Sequence, residues 1–157
     1  MQVDETLVGG KGSANNELVL VAAEADARVR LAHAKNNDEA TLKSFADSQI
    51  ASNTRVVTDG LVSYNNDSLG KRPHQAIVQT KQERRESDAL QGCHWTPSLL
   101  KRWLLGSHAG AVRPKHLQAD LDEFAFRHNR RKTTGWVASL PASSSSSTPA
   151  GRSPWES

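Results

Sequence analysis

The sequence predicts an α/β domain: a mixed sheet of three antiparallel strands followed by parallel strands, flanked by helices. Three observations predict it. Short β-branched stretches broken by turn-forming loops fill the first thirty-four residues, strand-like and helix-like segments then alternate, and the apolar residues of the late segments recur at helical spacing.

Each element follows from its own pattern. Residues 3–7 are a short β-branched run ending at the turn-rich GGKGSANN. Residues 17–25 (ELVLVAAEA) form the next strand, and residues 27–34 (ARVRLAHA) alternate apolar and polar in the manner of a half-buried strand. Asp26 between them makes a hairpin, so the first three strands form an antiparallel meander. Residues 36–50 are helical, with Leu42, Phe45, Ala46 and Ile50 on one face and Asn37 or Asp38 as N-cap. Residues 54–60 (TRVVTDG) are a short strand that stops at Asp59-Gly60; LVSYNND after it is a brief helix or turn. Residues 74–81 read as a last strand, and RRESDALQG as a polar loop or frayed helix. Residues 98–105 are helical with Pro97 at the first position, where no backbone donor is needed. Residues 113–131 are a second late helix, with Leu117, Leu121, Phe124 and Phe126 on its apolar side; Trp95, Leu99, Leu100 and Trp103 are read as core. Three antiparallel strands, a helix, then parallel strands alternating with helices is the order of a ribonuclease-H-like domain.

Composition narrows the function classes. The chain has 157 residues, 36 % apolar and 24 % charged, with a single cysteine. It is long enough for one domain with a real core. One cysteine excludes an internal disulfide and a cysteine-rich zinc site. The sequence lacks an apolar run of membrane-spanning length and a signal-peptide pattern, so no membrane is expected and a cytoplasmic location is. The net charge is only +3, but residues 99–132 carry Lys101, Arg102, Arg113, Lys115, Arg127, Arg130, Arg131 and Lys132 against Asp120, Asp122 and Glu123. Such a block suits a polyanion such as DNA. Residues 135–157, rich in Ser, Pro and Ala, are expected to be a disordered tail behind a domain of residues 1–134.

Four residues carry the chemistry. Asp4 lies inside the first strand and Asp59 at the end of the fourth, neighbours in a ribonuclease-H-like sheet. Two close carboxylates repel unless a cation joins them, and oxygen ligands without thiolates favour Mg²⁺ or Mn²⁺. His94, thirty-five positions after Asp59 and just before a helix, can supply a third ligand, and Lys101, seven residues on, lies near the same helix face. Taken singly, each of these residues has an ordinary structural use. Spacing alone leaves a metal-dependent nuclease as one reading among several.

The combination is more specific. VDETLVGGK, RVVTDGLVSY and GCHWTPSLLKRWLLGSHAGAVRPKHLQADLDEFAFRHNRR together resemble the transposase domain of ISXO-like insertion sequences, which are DDE-type enzymes, over about residues 2–134. The resemblance implies that Asp4 and Asp59 match the two catalytic aspartates, and that His94 and Lys101 match the third position and a helix lysine seven residues later. It implies metal-dependent cleavage and strand transfer at insertion-sequence ends, with Mg²⁺ or Mn²⁺ on Asp4, Asp59 and His94. Lys101 would then hold the DNA backbone, with Arg102, Lys115, Arg127, Arg130 and Arg131 as further DNA-binding groups. It also implies a homo-oligomer on DNA, associated with the nucleoid. A neutral imidazole in place of a glutamate implies weaker binding of the second metal ion.

There are departures. Met1 stands at the catalytic strand, where the family usually has an upstream DNA-binding region. Pro97 replaces a usual Val or Ile, and Asp120 a common aromatic. GWVASLPA can be back-translated so that a shifted frame reads VGRIAAR, an ordinary basic ending for the family. The expectation is a truncated or frameshifted copy, and the alternative to an active enzyme is an inactive remnant with residual non-specific DNA binding.

Overall fold

β1 (Gln2–Val8), β2 (Glu17–Ala23) and β3 (Val29–Ala34) form the expected antiparallel meander. In this computed structural model residues 1–9, 16–24, 28–108 and 112–131 are described. The expected tail at 135–157, Lys132 and the hairpin turn at Asp26 lie outside the described residues. β2 is nearly all buried because its neighbours cover both edges and helices cover both faces, which is why it reads as a continuous apolar run. β1 lies at the centre of the sheet order β3-β2-β1-β4-β5, paired in parallel with β4 (Val56–Thr58), which pairs in parallel with β5 (His74–Ala76).

The two parallel strands are shorter than the seven- and eight-residue runs the sequence predicts. Gly60, at φ +88°, turns the chain straight after Asp59 and leaves β4 three residues long. The donation from Ile77 N–H to the Thr58 carbonyl at 2.8 Å then closes the β4–β5 ladder. Thr80 and Lys81, read as strand, instead open α2 (Lys81–Glu86) through a capping box between Thr80 and Glu83. LVSYNND is a series of turns, the first closed by Tyr64 N–H on the Leu61 carbonyl at 2.9 Å.

Helices cover the sheet on both faces. α1 (Glu39–Gln49) is capped by Asp38, whose carboxylate accepts from Thr41 N–H at 2.8 Å. Leu42, Phe45, Ala46 and Ile50 are all buried, as their spacing predicts, against Val3, Leu20, Ala22 and Val56. On the opposite face α3 (Gln91–His108) and α4 (Pro114–Arg130) press Cys93, Leu100, Leu104, Leu117, Leu121 and Phe124 onto Val8, Val19, Val21 and Leu31. β1 divides its side chains between these layers: Val3 joins the α1 side and Val8 the α3 side, so Asp4 faces α3 and Glu5 faces away from it.

α3 begins at Gln91, six residues before Pro97, so Pro97 is interior to the helix, not its first residue. Proline in a helix interior removes one backbone bond and ordinarily costs about 3 kcal/mol. Here distant contacts hold the earlier turn. The Gln2 side-chain oxygen accepts from Gly92 and Cys93 N–H at 2.9 and 3.3 Å, its amide donates to the Ala89 carbonyl at 2.9 Å, and Cys93 is fully buried in the core. Gly92 permits this approach: a Cβ there would lie 2.8 Å from Gln2 Oε1 and 3.0 Å from Ala23 Cβ. Two of the aromatics expected inside are outside. Trp95 is 66 % exposed, and Phe126 is 58 % exposed beneath the Arg130 guanidinium at 4.7 Å. Leu100 is fully buried, and Trp103 packs its ring at 5.8 Å from Phe124.

α4 also seals the β3 edge. Asn129 accepts from Val29 N–H at 2.8 Å and donates to the Val29 carbonyl at 2.9 Å, while Gln118 accepts from His33 N–H at 2.9 Å and donates to the Leu31 carbonyl at 3.4 Å. Two side-chain amides thus occupy the hydrogen-bonding positions that a further strand would use.

Candidate active site

The parallel pairing of β1 and β4 sets the centre of the site. Gln2 is level with Val57, so Asp4 on β1 and Asp59, just past the end of β4, each lie two residues further along their chains. Burial is the main cause holding the Asp4 carboxyl above its ordinary range, and the charges of Asp59 and Glu5 add to it; the Glu5 N–H, donating to Asp4 Oδ1 at 2.8 Å, and His94 act the other way. Asp59 itself is tied into its turn, accepting from Leu61 N–H at 3.1 Å.

His94 comes from α3. Because the helix starts at Gln91, His94 lies within its first turn, not before it, a correction that follows from the long-range capping by Gln2. Its Nε2 is 3.6 Å from Asp4 Oδ2, and its Nδ1 is bonded to the Asp88 carboxylate at 2.7 and 2.8 Å. Lys101 is exposed, two helical turns and about 10 Å further along the same face. Asp4 is thus the common neighbour of Asp59 and His94.

Among the described residues no three His, Cys, Asp or Glu side chains form a ready-made metal cluster. The donor chemistry nevertheless fits a hard divalent cation: carboxylate oxygens and one imidazole nitrogen, around a desolvated carboxyl repelled by neighbouring negative charge. Cys93 is not part of that donor set. Its thiol is fully buried, pushed up by desolvation, and leans on the Val21 carbonyl at 3.8 Å.

The sequence reasoning missed four supporting residues. Asp88 and Gln2 are described above. Tyr64, buried on the α1 face, donates its hydroxyl to Glu5 at 2.6 Å, and burial raises its pKa far above the ordinary range, so it stays a neutral donor. Glu5, one residue from Asp4, is thereby held on the far side of the strand. No local period marks such pairs. The DNA-binding candidates Lys101, Arg102, Lys115, Arg127, Arg130 and Arg131 are all exposed. Arg127 is paired with Glu123 at 2.7 Å, and Arg131 donates to the His128 carbonyl at 3.2 Å.

A five-stranded mixed sheet in this order with helices on both faces defines a ribonuclease-H-like domain. The crystal structure of the catalytic core domain of BIV integrase has the same fold, with a TM-score of 0.62 at 12 % identity over 83 % of each chain. The chain belongs to the ISXO2-like transposase domain family, whose model matches residues 2–129. No curated protein sequence matches it. Among the described residues no helix is long and apolar enough to cross a membrane.

Proposed function

We propose that this chain is the catalytic domain of a DDE-type DNA transposase that cleaves and rejoins phosphodiesters at insertion-sequence ends. The observation that carries this is the partly buried Asp4 carboxyl at the sheet centre, repelled by Asp59 and 3.6 Å from His94 Nε2. Asp4, Asp59 and His94 would hold the divalent cation, Mg²⁺ or Mn²⁺. When bound, such an ion supplies charge neutralisation at the phosphate and a more acidic attacking hydroxyl.

Two displacements at phosphorus make up the reaction. In the first, a water oxygen bonds to phosphorus at the element end, the bond to the 3′-oxygen breaks, and the water's proton passes to solvent while the 3′-oxygen leaves as a hydroxyl. In the second, that 3′-hydroxyl gives its proton to solvent as its oxygen bonds to phosphorus in target DNA, and the target's own 3′-oxygen leaves and takes up a proton from solvent. This chain's residues bind and orient. Lys101 grips a backbone phosphate beside the reacting one, and Arg102, Lys115, Arg127, Arg130 and Arg131 hold DNA phosphates without reading sequence. Two or more copies on paired ends, working in the nucleoid, complete the reading.

Calorimetry with Mn²⁺ tests the site. Asp4→Ala and Asp59→Ala are each expected to lose most of the wild-type affinity; wild type and both variants binding alike would remove the metal site. Cleavage of a labelled element end by wild type but not by either variant establishes activity, and DNA binding without cleavage identifies an inactive remnant.

A further inference from the structure

Asp88 is the residue at this site that neither spacing nor family resemblance singles out. Both of its carboxylate oxygens lie at hydrogen-bond distance from His94 Nδ1, at 2.8 and 2.7 Å, and Oδ1 also accepts from Leu90 N–H at 3.0 Å. Asp88 is therefore fixed by the backbone at the start of α3 while it holds the ring. The ring's own backbone is fixed independently by Gln2 on Gly92 and Cys93.

An ionised carboxylate only accepts, so the proton between Asp88 and His94 belongs to Nδ1. A neutral imidazole has one N–H, which leaves a lone pair on Nε2, the nitrogen 3.6 Å from Asp4. The two tautomers have opposite consequences at that spot. With the proton on Nδ1, Nε2 and the Asp4 carboxylate are two donors facing one small space. With the proton on Nε2, the ring turns an N–H toward Asp4 and has no lone pair there to offer a cation.

We propose that Asp88 is a positioning residue that locks His94 in the Nδ1–H tautomer and so keeps the Nε2 lone pair directed at the divalent cation shared with Asp4. This rests on the reading of His94 as a ligand given above. A carboxylate behind a ligating imidazole fixes ring orientation and raises its basicity, and removing such a partner typically costs about 10–100-fold in metal affinity.

Two readouts on the full chain test it. The first is ¹⁵N NMR of the His94 ring without metal, recorded in the pH range where the ring's own ¹⁵N shifts no longer change and so report the neutral form. Wild type is expected to show Nδ1–H, Asp88→Asn to keep it because the amide oxygen still accepts, and Asp88→Ala to move the proton to Nε2. The second is Mn²⁺ calorimetry, where Asp88→Ala is expected to lose about 10–100-fold and Asp88→Asn clearly less. Dispersed spectra of the same samples report that each variant is folded; if Asp88→Ala does not fold, Asp88→Asn decides, and its loss of the Nδ1–H signal overturns the proposal. Retention of Nδ1–H in folded Asp88→Ala, or affinity equal to wild type in that variant while His94→Ala binds weakly, overturns the positioning role alone. Wild-type affinity in His94→Ala overturns the ligand reading itself, and this proposal with it.

Discussion

Asp4 is costly to the fold in the absence of a cation. Its carboxyl is desolvated, and Asp59 and Glu5 both oppose its ionisation. Such strain at a site is retained for function at the expense of stability. Asp4→Asn is therefore expected to raise the Tm of the chelator-treated chain at neutral pH by on the order of a few degrees. The same variant is expected to lose the stabilisation that added Mn²⁺ gives wild type. Thermal unfolding with and without Mn²⁺ reads both effects; a lower Tm for the metal-free variant would show that the charge is structurally compensated. Tyr64→Phe tests the opposite face of the same strand. It leaves Glu5 without its 2.6 Å donor, and the expected cost is about 1–3 kcal/mol by denaturant unfolding.

At the scale of elements, the edge and the caps are the vulnerable points. Gln118 and Asn129 satisfy backbone groups at residues 29, 31 and 33 of β3. Replacing both with Ala exposes that ladder, so a lower Tm and concentration-dependent association are expected by light scattering. An unchanged, monodisperse double variant would mean that α4 shields the edge by packing alone. The start of α1 has a defined acid response. Bonds to Thr41 hold the Asp38 carboxyl below its ordinary 3.8. Its folded-state pKa is depressed, so its contribution is present above 3.8 and lost as the pH falls through the lower folded value. Wild type should therefore melt higher than Asp38→Ala at neutral pH, and the two should converge in acid.

For the whole molecule, the question is how a modest net charge serves DNA. In the proposed function the exposed cations of α3 and α4 would act through phosphates, so binding is expected to be sequence-tolerant and strongly salt-dependent. Charge reversal at Arg130 and Arg131 should weaken binding about equally across DNA sequences and flatten the salt slope by roughly one for each phosphate no longer neutralised. Titrations at several salt concentrations measure this, and an unchanged slope would place the DNA elsewhere. Arg130 lies over Phe126 in the last turn of α4, and Arg131, the C-cap that follows it, donates to the His128 carbonyl. They should therefore act as a unit.

The meander and the amphipathic α1 and α4 are legible in the sequence alone. These depend on local periodicity and on strand order, which a chain displays residue by residue. Leu42, Phe45 and Ala46, or Leu117, Leu121 and Phe124, are legible because burial of one helical face repeats in sequence. The tertiary structure alone decided where α3 begins, that Trp95 and Phe126 face outward, and that Asp88 stands behind His94. Gln2 bonds a turn ninety residues away, and Asn129 a strand one hundred residues away. Such side-chain-to-backbone bonds leave no period in the sequence. One of them moved a helix start past a proline that local rules treat as a first residue, because satisfying buried backbone donors and burying Cys93 outweighed the single hydrogen bond that Pro97 cannot make.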